Sequence, residues 1–420
     1  MALKRTPVSD PDYPNNPGVG AKDAETKDGR PVVLQVIPRL ISGGVERGAV
    51  DIAAAVTANG GTALVASEGG PMEYELRRVG AIHLKLPLAS KNPLVMYRNV
   101  GRLVSLIEAH DVDIVHARSR APAWSAAAAA RRTGRHFVTT FHGTYNFSNR
   151  IKRAYNAIMT KGERVIANSE FIGQHIRDNY TLDQARIRVI RRGIDLNLFD
   201  PDKVSAERVI QLAGRWRLPD GVPVVMLPGR LTRWKGQTVL IDALTRLRDV
   251  ELRCVLVGAE LGRGSYRAEL QRLVDRHGLA SHVFLPGQCD DMPAAYMLAD
   301  VVISASTDPE AFGRVVSEAQ AMGCPVVASD HGGAREQVLE DRTAFLVPPG
   351  DAHALAGAIR EALDLTAQQR EQLSTAARAH ARANFSKDHM CAATLALYRE
   401  LLRAAEPAGR GATAPRRAAL

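Results

Sequence analysis

From Val32 onward, short apolar runs alternate with longer helical stretches, and the alternation starts afresh at Val222. This pattern constrains the chain most. Parallel strands need a crossover longer than a hairpin turn, so strand–helix alternation predicts βαβ units and a sheet covered on both faces. In the first series the expected strands are Val32 to Ile37, Ala63 to Ala66, Ile82 to Leu86, Asp113 to His116, Phe137 to Phe141 and Val165 to Ala167. In the second they are Val222 to Leu227, Arg253 to Val257, His282 to Leu285, Val301 to Ser304, Val326 to Ala328 and Ala344 to Val347. The fold class is therefore α/β, with two Rossmann-like domains facing each other across a cleft.

Turn chemistry sets the boundaries. Asp200-Pro201 and Leu218-Pro219-Asp220-Gly221 flank one helical stretch, which divides the chain into a first domain over 30–218 and a second over 219–385. Asn384-Phe385-Ser386 reads as the entrance to a last helix, 386–405. Residues 1–29 and 406–420 are rich in Pro, Gly and polar or basic residues and are expected to be disordered. The start lacks the apolar core of a secretory signal, and the four cysteines are scattered without a Cys-x-x-Cys pair. A reduced, cytoplasmic protein is the simplest expectation. No GxGxxG follows the first strand, which argues against a nicotinamide dehydrogenase, and no Walker lysine marks a P-loop.

The chemistry concentrates at the ends of strands. Gly229 to Gly236, GRLTRWKG, follows the apolar run at Val222 and places Arg230 and Lys235 at the carboxyl end of a sheet, where open α/β folds bind ligands. Arg230 can grip phosphate oxygens in a planar fork and Lys235 supplies a point charge. About eighty residues later, DPEAFGRVVSEA carries Glu310 on a loop and Glu318 inside the helix that opens at Phe312-Gly313. Free N–H groups at that helix start would face an anion. Glu310 could then reach a sugar hydroxyl on one side, and Glu318 ribose hydroxyls on the other. Gly43-Gly44, between the first strand and a helix, lets backbone N–H groups approach a phosphate or forms a plain turn. His142 ends a buried strand, where a structural hydrogen bond is the alternative to ligand contact. Ser169 stands at a helix N-cap, and Cys289 lies on the strand-to-helix loop Pro286 to Pro293.

These segments together resemble the retaining glycosyltransferases of family 4, of GT-B architecture, over roughly 31–405. The resemblance rests on GGVER at Gly43, FHG at Phe141, ANSEF at Ala167, RRGID at Arg191, GRLTRWKG, PEAFGRVVSEA, and HGG with Glu336 three residues beyond. It implies a nucleotide-sugar donor bound by Gly43, Gly44, Arg230, Lys235, Phe312, Gly313, Glu318 and the loop of Cys289. Catalysis would fall to Glu310, His142, Arg230 and Lys235. It further implies a last helix crossing back onto the first domain, a leaving diphosphate that takes the acceptor proton, and neither metal nor other cofactor. A glycan or lipid-linked acceptor of lipopolysaccharide or exopolysaccharide assembly is the expected partner. A non-catalytic sugar-nucleotide-binding scaffold and a sugar-nucleotide epimerase are the rival readings.

The net charge of +10 is uneven: thirteen Lys/Arg face four Asp/Glu between Arg131 and Arg192. Nucleic-acid modules and aromatic stacking platforms are not evident, so nucleic acid is not an expected partner. An anionic membrane surface is, which would make the protein peripheral on the inner face of the cytoplasmic membrane. Ile151, Tyr155 and Ile158 recur at helical spacing within 148–164; packing of this stripe on the first sheet would turn Arg150, Lys152 and Arg153 outward.

Overall fold

The computed structural model describes residues 30–405 apart from 42, 146–148, 261–264 and 341. The expected disordered ends, 1–29 and 406–420, lie outside the described residues. The chain forms two all-parallel sheets. The first holds β1 (Val32–Val36), β2 (Thr62–Ser67), β3 (Ile82–Lys85), β4 (Ile114–Ala117), β5 (His136–Phe141), β6 (Arg164–Ala167) and β7 (Ile187–Val189), in the order β3-β2-β1-β4-β5-β6-β7. The second holds β8 (Val224–Pro228), β9 (Arg253–Val257), β10 (Val283–Gly287), β11 (Val301–Ser304), β12 (Val326–Ser329) and β13 (Phe345–Val347), in the order β10-β9-β8-β11-β12-β13.

Both orders turn back at their first strand, β1 between β2 and β4, and β8 between β9 and β11. Such a reversal opens a crevice beyond the carboxyl ends of the strands. Residues alternate between the two faces of each strand, so an apolar run can supply two cores. In β1, Leu34 and Val36 join one core and Val33 the other. In β8, Val225 and Leu227 face one way, Val224 and Met226 the other.

The strand missed from sequence is β7. Its three residues, IRV, sit between cations and end the sheet, where a short charged strand blocks further pairing. The expected boundary after 218 also needs correction. Leu212 and Trp216 of the helix Ala206–Trp216 pack in the core of the second sheet with Val224 and Met226, because the helix's apolar face is buried there. Phe199 and Ile194 belong to that core as well.

The chain returns to the first sheet at Phe385–Lys387. Ile194 N–H donates to Phe385 O and Lys387 N–H to Ile194 O, both at 2.8 Å, and the Lys387 ammonium meets Asp195 at 2.6 Å. The helix Lys387–Ala405 then buries Met390, Leu395, Tyr398 and Leu401 against Val33, Ile114 and Val138. Tyr398 OH lies 2.6 Å from His116 Nδ1, and His116 Nε2 lies 2.7 Å from Thr140 Oγ1. Burial, and then the nearby Arg118, push the His116 pKa well down, so this ring is a neutral link between helix and sheet.

Tyr398→Phe should therefore destabilise the protein by about 1–3 kcal/mol, because a buried ring nitrogen loses its partner while the packing stays. Urea unfolding of the two proteins checks this; equal midpoints and slopes would contradict it.

Candidate active site

A cleft of about 1080 Å³ lies beyond the carboxyl ends of the strands of both sheets. From the first half it is lined by Gly43, Gly44, His142, Asn168 and Arg192, which follow β1, β5, β6 and β7. From the second half come Gly229, Arg230, Lys235, Cys289, Glu310, Phe312, Gly313 and Glu318. All ten residues expected from sequence thus line one cavity.

The turn after β8 is shaped by close backbone approach. Gly236 has φ 76°, and a Cβ there would stand 1.8 Å from Ala305 O, so no other residue fits. The short 3-10 turn Arg233–Lys235 that precedes it carries Lys235 to Glu310, Nζ to Oε2 2.7 Å. Ser306 Oγ donates to the other oxygen, Oε1, at 2.5 Å. Lys235 also lies 4.6 Å from the Trp234 ring centre. Burial pushes the Glu310 carboxyl up, but Lys235, Ser306 and His331 together outweigh it and hold the pKa below the ordinary value. Glu310 is therefore an ionised carboxylate in a nearly closed setting.

Lys235 is thus committed to Glu310 rather than standing open beside Arg230. Arg230 is exposed at the rim, and no hydrogen bond or ion pair to its guanidinium is found among the described residues. The HGG segment braces Glu310 from behind. Gly333 N–H donates to Glu310 O at 2.8 Å, and Gly332, at φ 61°, leaves room for that carbonyl, which a Cβ would meet at 2.7 Å.

Glu318 lies in the helix Arg314–Ala321 and is held from two sides, by Tyr296 OH at 2.9 Å and Arg314 Nη2 at 2.5 Å. A carboxylate has about four acceptor positions, so two remain for hydroxyl donors in the cleft. Phe312 is 3% exposed and packs on Phe385, so its ring serves the core while its backbone borders the cavity. Gly313, at φ 80°, opens the helix, and no side chain caps it. Cys289 borders the cleft half-buried.

On the opposite wall His142 is enclosed, and its Nε2 has no hydrogen-bond partner among the described residues. Burial, followed by Arg118 and Arg192, pushes its pKa well down. It is a neutral imidazole that can donate or accept, not a cation. Ser169 accepts from Ile172 N–H at 3.1 Å and is a helix cap only. Glu336 joins the two halves instead: its two oxygens accept from Glu170 N–H and Phe171 N–H, each at 2.9 Å.

Sequence reasoning quoted RRGID, ANSEF and GRLTRWKG as motifs but did not single out Arg192, Asn168 or Trp234 within them, and it missed Tyr296 and Ser306 altogether. Their signal was position alone, just beyond strand ends or facing a motif residue. Part of the excess positive charge of 131–192 is paired or buried rather than free. Arg164 and Arg188 share Glu400 at 2.5 and 3.3 Å, Arg135 pairs with Asp111 at 2.9 Å, and Arg192 is buried in the cleft. The apolar stripe divides too: Ile158 and Met159 are buried, but Ile151 is 81% exposed.

Comparison with known proteins agrees with this architecture. Residues 42–198 match the family described as Glycosyltransferase Family 4, and residues 211–380 match Glycosyl transferases group 1. The crystal structure of a glycosyltransferase from Rickettsia africae superposes with TM-score 0.82 at 37% identity, covering 89% of this chain and 99% of that one. Anabaena HepE in complex with UDP and glucose superposes with TM-score 0.78 at 27% identity, covering 88% and 99%. The D-inositol 3-phosphate glycosyltransferase of Jonesia denitrificans is 33% identical over 248 residues, 57% of this chain and 58% of that protein. The matches thus span little more than half the length of such curated relatives. Two parallel sheets meeting at a cleft of this kind define a GT-B protein. The chain belongs to the glycosyltransferases of family 4.

Because its pKa is lowered, the neutral form of His142 should persist down through the ordinary histidine range. Histidine NMR, assigned with His142→Asn, should show no titration of this ring between about pH 6 and 8. An inflection near about 6.5 would contradict the enclosed geometry.

Proposed function

We propose that the protein transfers a hexose-type sugar from a nucleoside diphosphate sugar to a hydroxyl of a membrane-associated acceptor, with retention of configuration. The observation that carries this is the Lys235–Glu310 pair at 2.7 Å, placed at the carboxyl ends of β8 and β11 opposite the neutral His142. The diphosphate fits beside Arg230, Lys235 and the uncapped helix start at Gly313, whose positive charges favour the departing group. The ionised Glu310 fits the sugar end, where positive charge develops as the bond to the diphosphate oxygen breaks. The acceptor oxygen forms its bond on the same face, and its proton passes to the departing diphosphate oxygen. His142 orients sugar hydroxyls. Glu318 takes the ribose, and the backbone around Cys289 borders the base. Side chains meet the phosphate charge, so the reaction is expected to persist in EDTA.

The Anabaena protein's complex with UDP and glucose supports a donor of this chemical class. For the acceptor, lipid-linked glycan of cell-envelope polysaccharide or lipopolysaccharide synthesis is favoured by an exposed apolar patch on the first half. Tyr155 stacks on Trp124, which is 40% exposed, with Ile151 one turn away on the same helix. Ser125, next to Trp124, bonds to Met96 O, which places the exposed Tyr97 close by. Arg150, Arg153 and Lys161 line an adjoining groove of about 490 Å³. Among the described residues no helix is long and apolar enough to cross a membrane. The proposed contact is through this patch, at the cytoplasmic face of the membrane. A second reading, a small phosphorylated polyol as acceptor, is favoured by the name of the Jonesia denitrificans relative.

Incubation with a panel of sugar nucleotides, following release of UDP, GDP or ADP, tests the reading; one donor should be consumed only when acceptor is present. Lys235→Ala should lower turnover by about ten- to a thousandfold at saturating donor. Normal turnover would contradict its assigned part. In co-sedimentation the protein should bind anionic but not zwitterionic vesicles, with each cation near the surface adding about 1 kcal/mol. Reversing Arg150 and Arg153 to Glu, with Ile151→Ser, should abolish that binding. Equal binding to both vesicle types would remove the membrane-bound acceptor and favour the soluble polyol.

A further inference from the structure

Glu336 stands in a motif that the proposed reaction leaves without a task. It is a residue of the second half, yet both of its carboxylate oxygens are used on the first. There β6 ends at Ala167, Asn168 lines the cleft, and the helix Glu170–Asn179 begins behind Ser169. The first N–H groups of a helix have no partner within it and carry partial positive charge. Ser169 Oγ accepts the Ile172 N–H, whereas the Glu170 and Phe171 N–H groups each go to one oxygen of Glu336. Arg191 lies 3.6 Å from the same carboxylate. A helix of the first half is thus capped from the second, through bonds that the carboxylate charge strengthens.

The segment that carries Glu336 is built tightly onto the loop of Glu310. Gly333 N–H donates to Glu310 O at 2.8 Å, and a Cβ on Gly333 would stand 2.5 Å from Ala311 O and 2.6 Å from Phe312 Cα. His331 Nε2 lies 2.8 Å from Ser306 O, the residue whose hydroxyl holds Glu310 Oε1. Just past Glu336, the buried Gln337 side-chain amide donates to Phe312 O and, at 2.9 Å, to Gly333 O. With backbone against backbone there is no room for the two segments to slide past each other. His331 to Gln337 and Ser306 to Phe312 therefore form one packed unit.

This unit ends on the cleft in one direction, at Glu310, and on the first half in the other, at Glu336. The helix start that Glu336 caps is likewise two residues from Asn168 on the facing wall of the cleft. The chain itself passes between the halves where Ile194 bonds Phe385 and Lys387. Rotation of one half against the other about that passage would carry Glu336 away from the two N–H groups. Water would then replace it at modest net cost, so these bonds can part and re-form.

We propose that Glu336 is a positioning residue for the transfer: by capping the helix at Glu170 it clasps the two halves, and through Gly333 the clasp holds Glu310 in its seat at the sugar end of the cleft. Glu336 acts through Glu310 and touches no reacting atom. The inference rests on the transferase reading for the reaction it serves, and on geometry alone for the clasp.

Amide hydrogen exchange and kinetics on the full chain, wild type beside Glu336→Ala and Glu336→Gln, test it. Exchange at Glu170 and Phe171 should quicken about tenfold or more in Glu336→Ala, and exchange at Gly333 should quicken with it. A cap of local importance alone would leave Gly333 unchanged and overturn the link to Glu310. With the sugar nucleotide that the donor panel selects, kcat should fall about tenfold while the Kd of UDP or GDP stays within about twofold. Full kcat in the folded variant would overturn the positioning role, since loss of stability alone does not slow the protein that remains folded. Combined with Ser306→Ala, the loss should depart from the product of the two single losses by more than about threefold, as expected when both act on one carboxylate. Losses that multiply within about twofold would place Glu336 outside the Glu310 network. Glu336→Gln keeps the length of the side chain and carries the same measurements if Glu336→Ala folds poorly. A wild type that consumes no sugar nucleotide would contradict the transferase reading instead, and exchange at Gly333 would still decide the clasp.

Discussion

Parallel pairing is the constraint on which the rest depends. Val36 of β1 pairs with Ala66 of β2 and Ala117 of β4, all running the same way, so each chain end after a strand leaves at the same edge. The second sheet repeats this with Pro228 beside Val257. Every loop that follows a strand therefore opens on the cleft side, and every helix must return along a face. Arg192, Asn168, His142 and the Gly43 turn come together for this reason, although 149 positions separate the first from the last. Lys235 and Glu310 meet for the same reason across the reversal between β8 and β11.

Charge in the cleft is managed differently on the two walls. On the second half Lys235 pairs with Glu310 and Arg314 with Glu318, while Arg230 stays open at the rim. Burial of such pairs is tolerable only when both members are close and their remaining sites are bonded, which Ser306 and Tyr296 supply. The first half pairs Arg47 with Glu75 and buries Arg192 beside a histidine that burial holds neutral.

Much of this was legible in the sequence, and the gaps have physical reasons. Strand runs such as Val301 to Ser304 were clear because both faces of a parallel sheet are buried, which leaves an apolar run with no polar alternation. β7 was invisible because three residues flanked by arginines carry no such run. Glu310 and Lys235 were found through their motifs, but their mutual bond was not, since seventy-five positions separate them. Tyr296 and Ser306 carry no local mark at all; only the tertiary fold turns them toward Glu318 and Glu310. Ile151 was misjudged because helical spacing shows which residues share a face but not where the neighbouring element ends.

We propose that one cleft both holds the departing diphosphate and receives the acceptor hydroxyl on the same face of the sugar. The most direct measurement is proton NMR of the glycosidic product formed from an α-linked sugar nucleotide, read at the anomeric proton before any mutarotation or hydrolysis. An α-glycoside is the predicted result. A β-glycoside would show attack from the opposite face and would contradict the parts assigned to Glu310, Lys235 and the diphosphate.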